Sequence, residues 1–291
     1  MKYLYYPGCS ASGTGRAYQD SLLPVFETLG IQLEELKDWN CCGATAYIAI
    51  NEAKAFALSA RNLALAEDQF ANEPEINVVA PCNACYLGLL KAKHYIEDVP
   101  RIKKTIRSAL QAAQLDYKGK VHVRHPLDIL VNDYGIDKIK KHIKKPLAGM
   151  KIATYYGCQI VRPYAEFDDV DNPITMDQVL MAAGAEIVDW EQKTRCCGGM
   201  ITPMSGKAGH KLNYILLKEA KKYGADVIAT CCPLCQFNLE CFQDKINSTY
   251  KTDLKIPVAY FTQLLGFGLG IDESKLGFNK VFVPPKLPVT A

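Results

Sequence analysis

Adjacent cysteines followed by glycine occur twice in the chain, in "NCCGAT" at residues 40–45 and in "RCCGGM" at residues 195–200. Cysteine thiolates bind zinc and iron. Neighbouring cysteines, however, are awkward ligands for one tetrahedral metal ion and awkward partners for a disulfide with each other. The repeated pair therefore indicates a thiolate-rich site of an unusual kind that one chain forms twice.

Each pair is the middle of a longer cysteine series. The spacing is C-x31-C-C-x39-C-x2-C in the first half and, counted through Cys232, C-x37-C-C-x34-C-x2-C in the second. The first series is Cys9, Cys41, Cys42, Cys82 and Cys85, and the second is Cys158, Cys196, Cys197, Cys232 and Cys235. Zinc and an ordinary cubane cluster are each satisfied by four ligands. Five thiolates fit either a bridged, nonstandard cluster or four ligands with one spare cysteine.

Two further cysteines of the second half need separate interpretation. In "TCCPLC", Cys232 keeps the C-x2-C step, whereas counting from the preceding strand, "VVAPC" against "VIATC", favours Cys231. We choose Cys232 because the C-x2-C step defines the series. Cys241 has no counterpart in the first half, and we interpret it as a packing residue.

Other parts of the sequence repeat together with the cysteines. "MKYLYYPGC" at the start corresponds to "MKIATYYGC" from Met150, and "VHVRHPLDILVNDYGID" from Val121 aligns without a gap on "IPVAYFTQLLGFGLGID" from Ile256. The chain is therefore predicted to contain two copies of one unit. We place the domains at 1–148 and 149–291, the second with a C-terminal tail, because Pro and Gly interrupt the helical pattern in "KKPLAGMK".

Short strands alternate with longer segments of helical period in each copy. The predicted strands are Lys2–Tyr6, Ile31–Glu35, Ile76–Ala80, Val121–Val123, Lys151–Tyr155, Glu186–Asp189, Asp226–Thr230 and Ile256–Ala259. This alternation predicts an α/β fold with a mainly parallel sheet and helices on both faces. The single cysteines and the C-x2-C steps then follow the carboxyl ends of strands, where open α/β sheets have their sites. Helix N-termini near the cysteines would stabilise thiolate charge.

The composition is that of an ordinary soluble globular protein. The 34 basic and 31 acidic residues among 291 give a net charge of only +3, which indicates no nucleic-acid partner. The N-terminus has no signal-peptide core, and no apolar run reaches the roughly 18 residues of a membrane span. Twelve cysteines in ordered spacing are typical of metal or redox sites in a reducing cytoplasm. Without a G-x-G-x-x-G sequence, neither a flavin nor NAD is expected in this chain.

The pairs, their glycines and the flanking cysteines resemble the cysteine-rich CCG domain. Two tandem CCG domains without a ferredoxin-type cysteine run resemble, over nearly the whole chain, the family of B subunits from the heterodisulfide reductases of methanogenic archaea. Related tandem domains occur in subunits of glycolate and glycerol-3-phosphate dehydrogenases, lactate-utilisation proteins and thiol:fumarate reductases. The resemblance implies two CCG domains related by a pseudo-two-fold axis, each a small mainly parallel sheet flanked by helices.

In that family each CCG domain holds a noncubane 4Fe–4S cluster on five cysteines. The resemblance therefore implies two such clusters, with the cysteines of the two series as ligands. It also implies a catalytic subunit of methanogenesis that reduces the coenzyme M–coenzyme B heterodisulfide to two thiols, each cluster delivering one electron. The implied partners are two further subunits of the heterodisulfide reductase, the ferredoxin-like one and the flavin-containing one, together with a hydrogenase or a formate dehydrogenase.

Both coenzymes are anionic, so their site should contain cations. Arg195 precedes the second cysteine pair, and Lys207 and His210 follow it in "MSGKAGHK". These three are the candidate substrate-binding residues. Arg16 and Arg162, which closely follow the single cysteines, are weaker candidates. A solvated surface charge is an equally good explanation of each one.

Two tyrosine pairs precede the single cysteines. They are Tyr5 with Tyr6 and Tyr155 with Tyr156. Strand packing is the default explanation, and shielding of a cluster from water is the functional alternative. The glycine after each cysteine pair is expected to let the backbone pass close to a cluster.

Two rival functions fit the same residues. One is a CCG electron-transfer subunit of a hydroxyacid dehydrogenase or of a fumarate-linked system, in which another chain binds the carbon substrate. The other is a zinc-stabilised scaffold with no redox role. Metal and acid-labile sulfide analysis distinguishes the scaffold from the redox proteins.

Overall fold

The computed structural model describes residues 1–44 and 46–288, apart from the side chain of Ala46. Thr45, the last residue of "NCCGAT", and the end of the predicted tail lie outside the described residues. The strands are β1 (Lys2–Tyr5), β2 (Gln32–Glu35), β3 (Ile76–Val79), β4 (Val121–Arg124), β5 (Lys151–Tyr155), β6 (Glu186–Ile187), β7 (Val227–Thr230) and β8 (Val258–Tyr260).

Helices follow most of the strands. The α-helices are α1 (Arg16–Thr28), α2 (Ala46–Ile50), α3 (Glu52–Gln69), α4 (Asn83–Asp98), α5 (Pro100–Ala112), α6 (Pro126–Asp128), α7 (Ile136–His142), α8 (Thr175–Ala182), α9 (Gly206–Lys222), α10 (Pro233–Cys241), α11 (Gln243–Tyr250) and α12 (Phe261–Gly268). Three 3-10 turns span Cys9–Ser12, Glu273–Lys275 and Phe278–Lys280, and a π-helical turn spans Ile129–Tyr134. No helix among the described residues is long and apolar enough to cross a lipid bilayer.

The strands form two four-stranded sheets in which every pairing is parallel. The strand orders are β2-β1-β3-β4 and β6-β5-β7-β8, so the second sheet repeats the topology of the first. The predicted α/β fold with two copies of one parallel unit is therefore confirmed. The last predicted strand began two residues early, at Ile256, and the observed strand starts at Val258, directly after Pro257. The backbone N–H and carbonyl of Ile256 hydrogen-bond to the side chain of Gln243.

The order of the strands creates one favourable position for a site in each sheet. In the first sheet the chain leaves β1 for β2 on one side and later places β3 on the other side of β1. At such a reversal the connections at the carboxyl ends of the two central strands diverge and leave a crevice between them. Cys9 follows β1 and Cys82 follows β3, while Cys158 and Cys232 follow β5 and β7. The expected location of these cysteines beyond strand ends is thus confirmed.

The chain forms two compact units, and these differ from the sequence copies. The first unit consists of Met1–Cys9 and Ile31–Pro126, and the second takes residues 10–30 and the described residues from Leu127 onward. Within the second unit, Ser21 of α1 hydrogen-bonds to Thr262 of α12 at 2.6 Å between their hydroxyl oxygens. A helix of the first sequence copy therefore packs in the second unit. The boundary at residue 148 concerns the sequence repeat and stays a prediction.

Buried apolar residues surround the central strands of each unit. In the first unit, Val78 and Val79 of β3 are inaccessible or nearly so, and α3 packs against α4 and α5. In the second unit, Ile228 of β7 and Val258 of β8 lie in a cluster that includes Trp190. This packing gives rigid strand ends, from which the cysteine-bearing loops depart.

Candidate functional site

The five cysteines of the first series come together in the first unit. The sulfur of Cys41 lies 3.8 Å from that of Cys9, and the sulfur of Cys42 lies 3.5 Å from that of Cys85. Cys41 also hydrogen-bonds to Cys42, and Cys85 to Cys82. These contacts link all five thiols of the series into one group.

The second series comes together in the second unit in the same way. The sulfurs of Cys197 and Cys235 are 3.6 Å apart, and Cys235 also hydrogen-bonds to Cys232. Cys196 hydrogen-bonds to Cys158, whose thiol lies close enough to Cys197 and Cys232 to interact with their charges. The structure therefore places each predicted five-cysteine series in one thiol centre, one centre per unit.

Backbone N–H groups point at the cysteine pairs. Gly198 donates to the sulfur of Cys196 and Gly199 to that of Cys197, each at 3.3 Å, and Ala44 donates to Cys42 at 3.4 Å. Such donors stabilise a thiolate over a thiol. The arrangement favours the charged sulfurs that metals require.

The pKa values of the paired cysteines follow from these contacts. The Cys158 thiol and the Gly198 N–H donate to Cys196 and lower its pKa to about 6, although burial acts in the opposite direction. Donation from Cys41 and Cys85 holds the pKa of Cys42 well below its usual value. The donating thiol has the opposite shift, so the pKa of Cys85 is raised well above its usual value. In each centre, part of the thiol set is therefore prepared for ionisation.

The structure distinguishes Cys232 from Cys231. Cys82 precedes the first residue of α4 as its N-cap, and Cys232 does the same for α10. Cys232 hydrogen-bonds to Cys235 within the thiol centre. Cys231, in contrast, donates its thiol to the backbone carbonyl of Tyr156 at 3.7 Å. Cys232 is thus the positional equivalent of Cys82.

Strand pairing gives the same equivalence. In the first sheet, Tyr5 pairs with Val79. Tyr5 stands four residues before Cys9, and Val79 stands three residues before Cys82. The next residue of each strand therefore stands three residues before Cys9 and two residues before Cys82. Tyr155 and Thr230, which pair in the second sheet, have that spacing relative to Cys158 and Cys232. Counting from the strand therefore also supports Cys232 once the register is known.

Side chains from neighbouring helices hold the loops of the cysteine pairs. Ser59 of α3 donates its hydroxyl to the carbonyl of Cys42 at 2.7 Å. In the second unit, Asn238 of α10 donates its amide to the carbonyl of Cys197, also at 2.7 Å. Both side chains are buried. Sequence reasoning missed these residues, because a buried serine or asparagine on an apolar helix has no spacing that identifies its partner.

The glycine after each cysteine pair turns the loop. Gly43 and Gly198 have φ of +70° and +79°, and a Cβ on Gly198 would lie 3.0 Å from the Cα of Gly209 in α9. These glycines therefore turn the loop tightly against a helix, and their expected passage close to a cluster stays a prediction. A close approach to a thiol also occurs at Gly8, where a Cβ would lie 2.9 Å from the sulfur of Cys85.

The candidate substrate-binding residues are near the second centre in sequence but differ in their surroundings. Arg195 and Lys207 are exposed. The ring of His210 is partly buried and packs 4.9 Å from the ring of Phe242, between centroids. Its Nε2 is buried and has no hydrogen-bond partner among the described residues.

The other two arginines and Cys241 have ordinary surroundings. Arg16 forms an ion pair with Asp20 at 2.8 Å, and Arg162 forms one with Asp171 at 2.9 Å. Cys241 is exposed. The interpretation of Cys241 as a packing residue is therefore wrong, since its position on α10 faces solvent.

The donor set fits an iron–sulfur group. Each centre offers five thiols, most of them buried, and hydrogen-bond donors directed at the sulfurs. The thiols contact one another in pairs, and no three or more Cys, His, Asp or Glu residues in the described part of the chain surround one metal-ion position. Thiolates attached to separate irons of a cluster need no such common centre.

Two parts of the sequence match a known domain. The model of the cysteine-rich domain CCG matches residues 3–89 and 152–240, one match in each copy. The chain belongs to the cysteine-rich CCG domain family. Its two thiol centres are thus the repeated feature of a tandem CCG protein.

Curated relatives are similar to this chain over nearly their full lengths. The 8-methylmenaquinol:fumarate reductase membrane anchor subunit of Wolinella succinogenes is 31% identical over 280 residues, covering 96% of this chain and 95% of that protein. The B subunit of the ferredoxin:CoB–CoM heterodisulfide reductase of Methanosarcina mazei is 29% identical, covering 96% and 93%. A protein of Archaeoglobus profundus, named as similar to the B subunit of heterodisulfide reductase, is also 29% identical, covering 95% and 93%.

A solved structure shares the tandem CCG fold. A hypothetical protein from Helicobacter pylori matches with a TM-score of 0.75 over 98% of this chain, at 14% sequence identity. This chain spans about half of that protein, 52% of its length. At that identity the likeness concerns the fold alone.

Gly198→Ala should destabilise the second CCG unit more than Gly224→Ala. Both glycines have positive φ, which costs a non-glycine residue about 1–2 kcal/mol, but a Cβ on Gly224 meets open space. At Gly198 the Cβ would also press on Gly209, which adds about 1–3 kcal/mol of overpacking. Anaerobic denaturant unfolding measures both changes. Equal costs would show that the loop does not pack tightly on α9.

Proposed function

We propose that this CCG protein is the catalytic subunit of a disulfide reductase, and more narrowly that it reduces the coenzyme M–coenzyme B heterodisulfide to two thiols. The observation that carries the proposal is the presence of two equivalent five-thiol centres, one in each unit. Relatives named for the B subunit of heterodisulfide reductase align with the chain over more than nine-tenths of its length. Their names supply the substrate, and the paired centres supply a chemical reason for it.

The reason is the number of electrons. Cleaving one disulfide into two thiols consumes two electrons and two protons. We propose that the two cysteine series hold two noncubane 4Fe–4S clusters, with Cys232 and not Cys231 in the second. Iron–sulfur clusters pass electrons singly, so two of them together supply the pair that the disulfide needs.

The chain's own residues prepare these centres. The N–H groups of Ala44, Gly198 and Gly199 favour ionised sulfurs. Burial, followed by the charges of nearby thiols, raises the pKa of both Tyr6 and Tyr155, so both phenols stay protonated and their rings contribute uncharged surface beside the centres. We propose that these rings shield the buried sulfurs from water.

The proposed substrate is anionic, and cations near the second cysteine pair in the sequence are proposed to bind it. Arg195 and Lys207 are exposed and can pair with a sulfonate, phosphate or carboxylate. His210, which lies on the same helix as Lys207, is proposed to join them.

Electrons must come from elsewhere. We propose that the donor is the reduced ferredoxin-like subunit of the heterodisulfide reductase. That subunit would receive its electrons through the flavin-containing subunit of the same enzyme, together with a hydrogenase or formate dehydrogenase. A cytoplasmic location is part of this proposal.

A second candidate function is favoured by one comparison. The Wolinella succinogenes relative, 31% identical over 96% of this chain, is named as part of a fumarate reductase. In that case this chain would pass electrons between its two centres and a partner that reduces or oxidises a carbon acid. The thiol centres would be retained, and the anion-binding residues near them would have no disulfide to bind.

The two functions are separated by anaerobic assays of the purified chain. Reduced methyl viologen should be oxidised when the heterodisulfide is added, with two viologens consumed for each disulfide. Oxidation only on addition of fumarate together with a partner protein would support the second candidate. Zinc in place of iron and acid-labile sulfide would exclude both.

Cys232→Ser should remove the second cluster, whereas Cys231→Ser should not. Iron should fall from about eight to about four atoms per chain in the first variant and stay near eight in the second, because each cluster contains four irons. Cys241→Ser is the control, because Cys241 is exposed and belongs to neither cysteine series, so its loss should leave the iron content unchanged. If Cys231→Ser lost the iron and Cys232→Ser kept it, the assignment would be reversed.

Lys207→Ala should weaken substrate binding without changing the chemistry. We expect the KM for the heterodisulfide to rise about tenfold with kcat nearly unchanged, because a charge-assisted contact to an anion is lost. Lys218→Ala removes an exposed cation from the same helix three turns away and is the matched control. Equal KM values for the two variants would exclude Lys207 from the binding site.

A further inference from the structure

One hydrogen bond recurs in both CCG units at the same place in the sequence pattern. Tyr6 and Tyr155 each stand three residues before the single cysteine of their series. The Tyr6 hydroxyl donates to the backbone carbonyl of Asn40 at 2.8 Å, and the Tyr155 hydroxyl donates to that of Arg195 at 2.5 Å. In both units the acceptor is the residue directly before the cysteine pair. The bond therefore joins two cysteine-bearing segments that are far apart along the chain.

Each of these tyrosines also lies against its own thiol centre. Both side chains are fully buried. The phenol of Tyr6 is near enough to four thiols of the first centre to interact with their charges, and Tyr155 interacts with four thiols of the second. A tryptophan packs in a T-shaped arrangement with each ring, Trp39 with centroids 5.6 Å apart and Trp190 with centroids 6.4 Å apart. Each tyrosine ring thus contacts an indole as well as lying near its thiol centre.

Neighbouring tyrosines do not share this arrangement. The hydroxyl of Tyr5 is buried and has no hydrogen-bond partner within the described part of the chain. Tyr156 donates to Asp177 at 2.8 Å. Strand packing alone would place these residues just as well, so it does not account for the repeated bond at the position three before the cysteine.

The loops that receive the bond need anchoring. Residues 40–43 and 195–198 contain neither helix nor strand, so no ladder of backbone hydrogen bonds fixes them. A loop of this kind keeps its shape through side-chain donors. Tyr6 and Tyr155 supply a donor from the end of the strand that leads to the single cysteine.

We propose that Tyr6 and Tyr155 are positioning residues that fix each cysteine pair relative to the single cysteine and so fix the metal environment of each centre. The inference rests on the proposed function only in treating the thiols as metal ligands. Beyond that function, it assigns a role to one tyrosine in each unit. The hydroxyl of this tyrosine holds the backbone carbonyl before the cysteine pair and so positions the pair.

The two units should differ in their sensitivity to losing this bond. The carbonyl of Asn40 accepts a second hydrogen bond from the amide of Asn62 at 3.0 Å, and Asn62 also accepts from the Asn40 N–H at 2.9 Å. Tyr6→Phe therefore leaves one donor on the acceptor. Tyr155→Phe removes the hydrogen bond to the carbonyl of Arg195, for which the described residues offer no second side-chain donor. The effect of Tyr155→Phe should therefore be larger than that of Tyr6→Phe.

The test uses Tyr6→Phe and Tyr155→Phe in the full chain purified anaerobically, with Tyr117→Phe as the matched control. Tyr117 is another tyrosine whose buried hydroxyl has no partner among the described residues, so its loss breaks no bond. Hydrogen–deuterium exchange measures the opening of peptides that contain residues 38–44 and 192–200. Release of the bound metal to a chelator and the midpoint potential of each centre measure the metal environment.

We expect Tyr155→Phe to accelerate exchange in the peptide around Cys196 about fivefold, the change that corresponds to one typical hydrogen bond. Half of the bound metal should be released faster, and the midpoint potential of one centre should move. Tyr6→Phe should act on the peptide around Cys41 by about twofold. Tyr117→Phe should change neither loop.

Three results would overturn the inference. Unchanged exchange in both Tyr→Phe variants would show that the loops do not depend on the bond. Acceleration of both loops in each variant would show general loss of stability. Faster exchange with unchanged metal release and potential would restrict the tyrosines to an ordinary structural role. Absence of heterodisulfide reduction alongside the expected loop and metal changes would contradict the proposed function and leave the inference standing.

Discussion

Gathering five ionisable sulfurs into one mostly buried space is the constraint on which the rest of the structure depends. Like charges at contact distance repel, so every thiolate in such a group needs a donor or a bound cation. The chain supplies donors from two sources: thiols that remain protonated, such as Cys85, and backbone N–H groups in the loops, such as that of Gly198. A metal cluster would replace the first source and retain the second.

The parallel sheet provides the means of meeting this constraint. Two central strands end side by side, and the cysteines that follow them are brought together whatever their separation along the chain. The cysteine pair comes from a loop outside the sheet, so it depends on side chains for its position. Ser59 and Asn238, which come from non-equivalent helices, hold the carbonyls of Cys42 and Cys197. In both copies a side chain donates a hydrogen bond to the carbonyl of the second cysteine of the pair, but the residue that donates it differs.

Duplication gives two similar centres with unequal support. In the first unit Asn62 provides a second donor to the carbonyl before the cysteine pair, and in the second unit a lowered pKa marks both paired cysteines. The two thiol centres are therefore alike in their cysteines and unlike in the hydrogen bonds around them.

The sequence by itself determined the cysteine series, the duplication and the parallel α/β units, because ordered spacing and strand–helix alternation are local patterns that survive without coordinates. The tertiary structure decided what those patterns leave open. Strand register and the N-cap of α10 distinguish Cys232 from Cys231. The partners of Ser59 and Tyr155, and the packing of a helix of the first copy in the second unit, depend on contacts between distant residues. Spacing along a chain cannot specify such contacts, since they arise only when the strands have paired and the loops have packed.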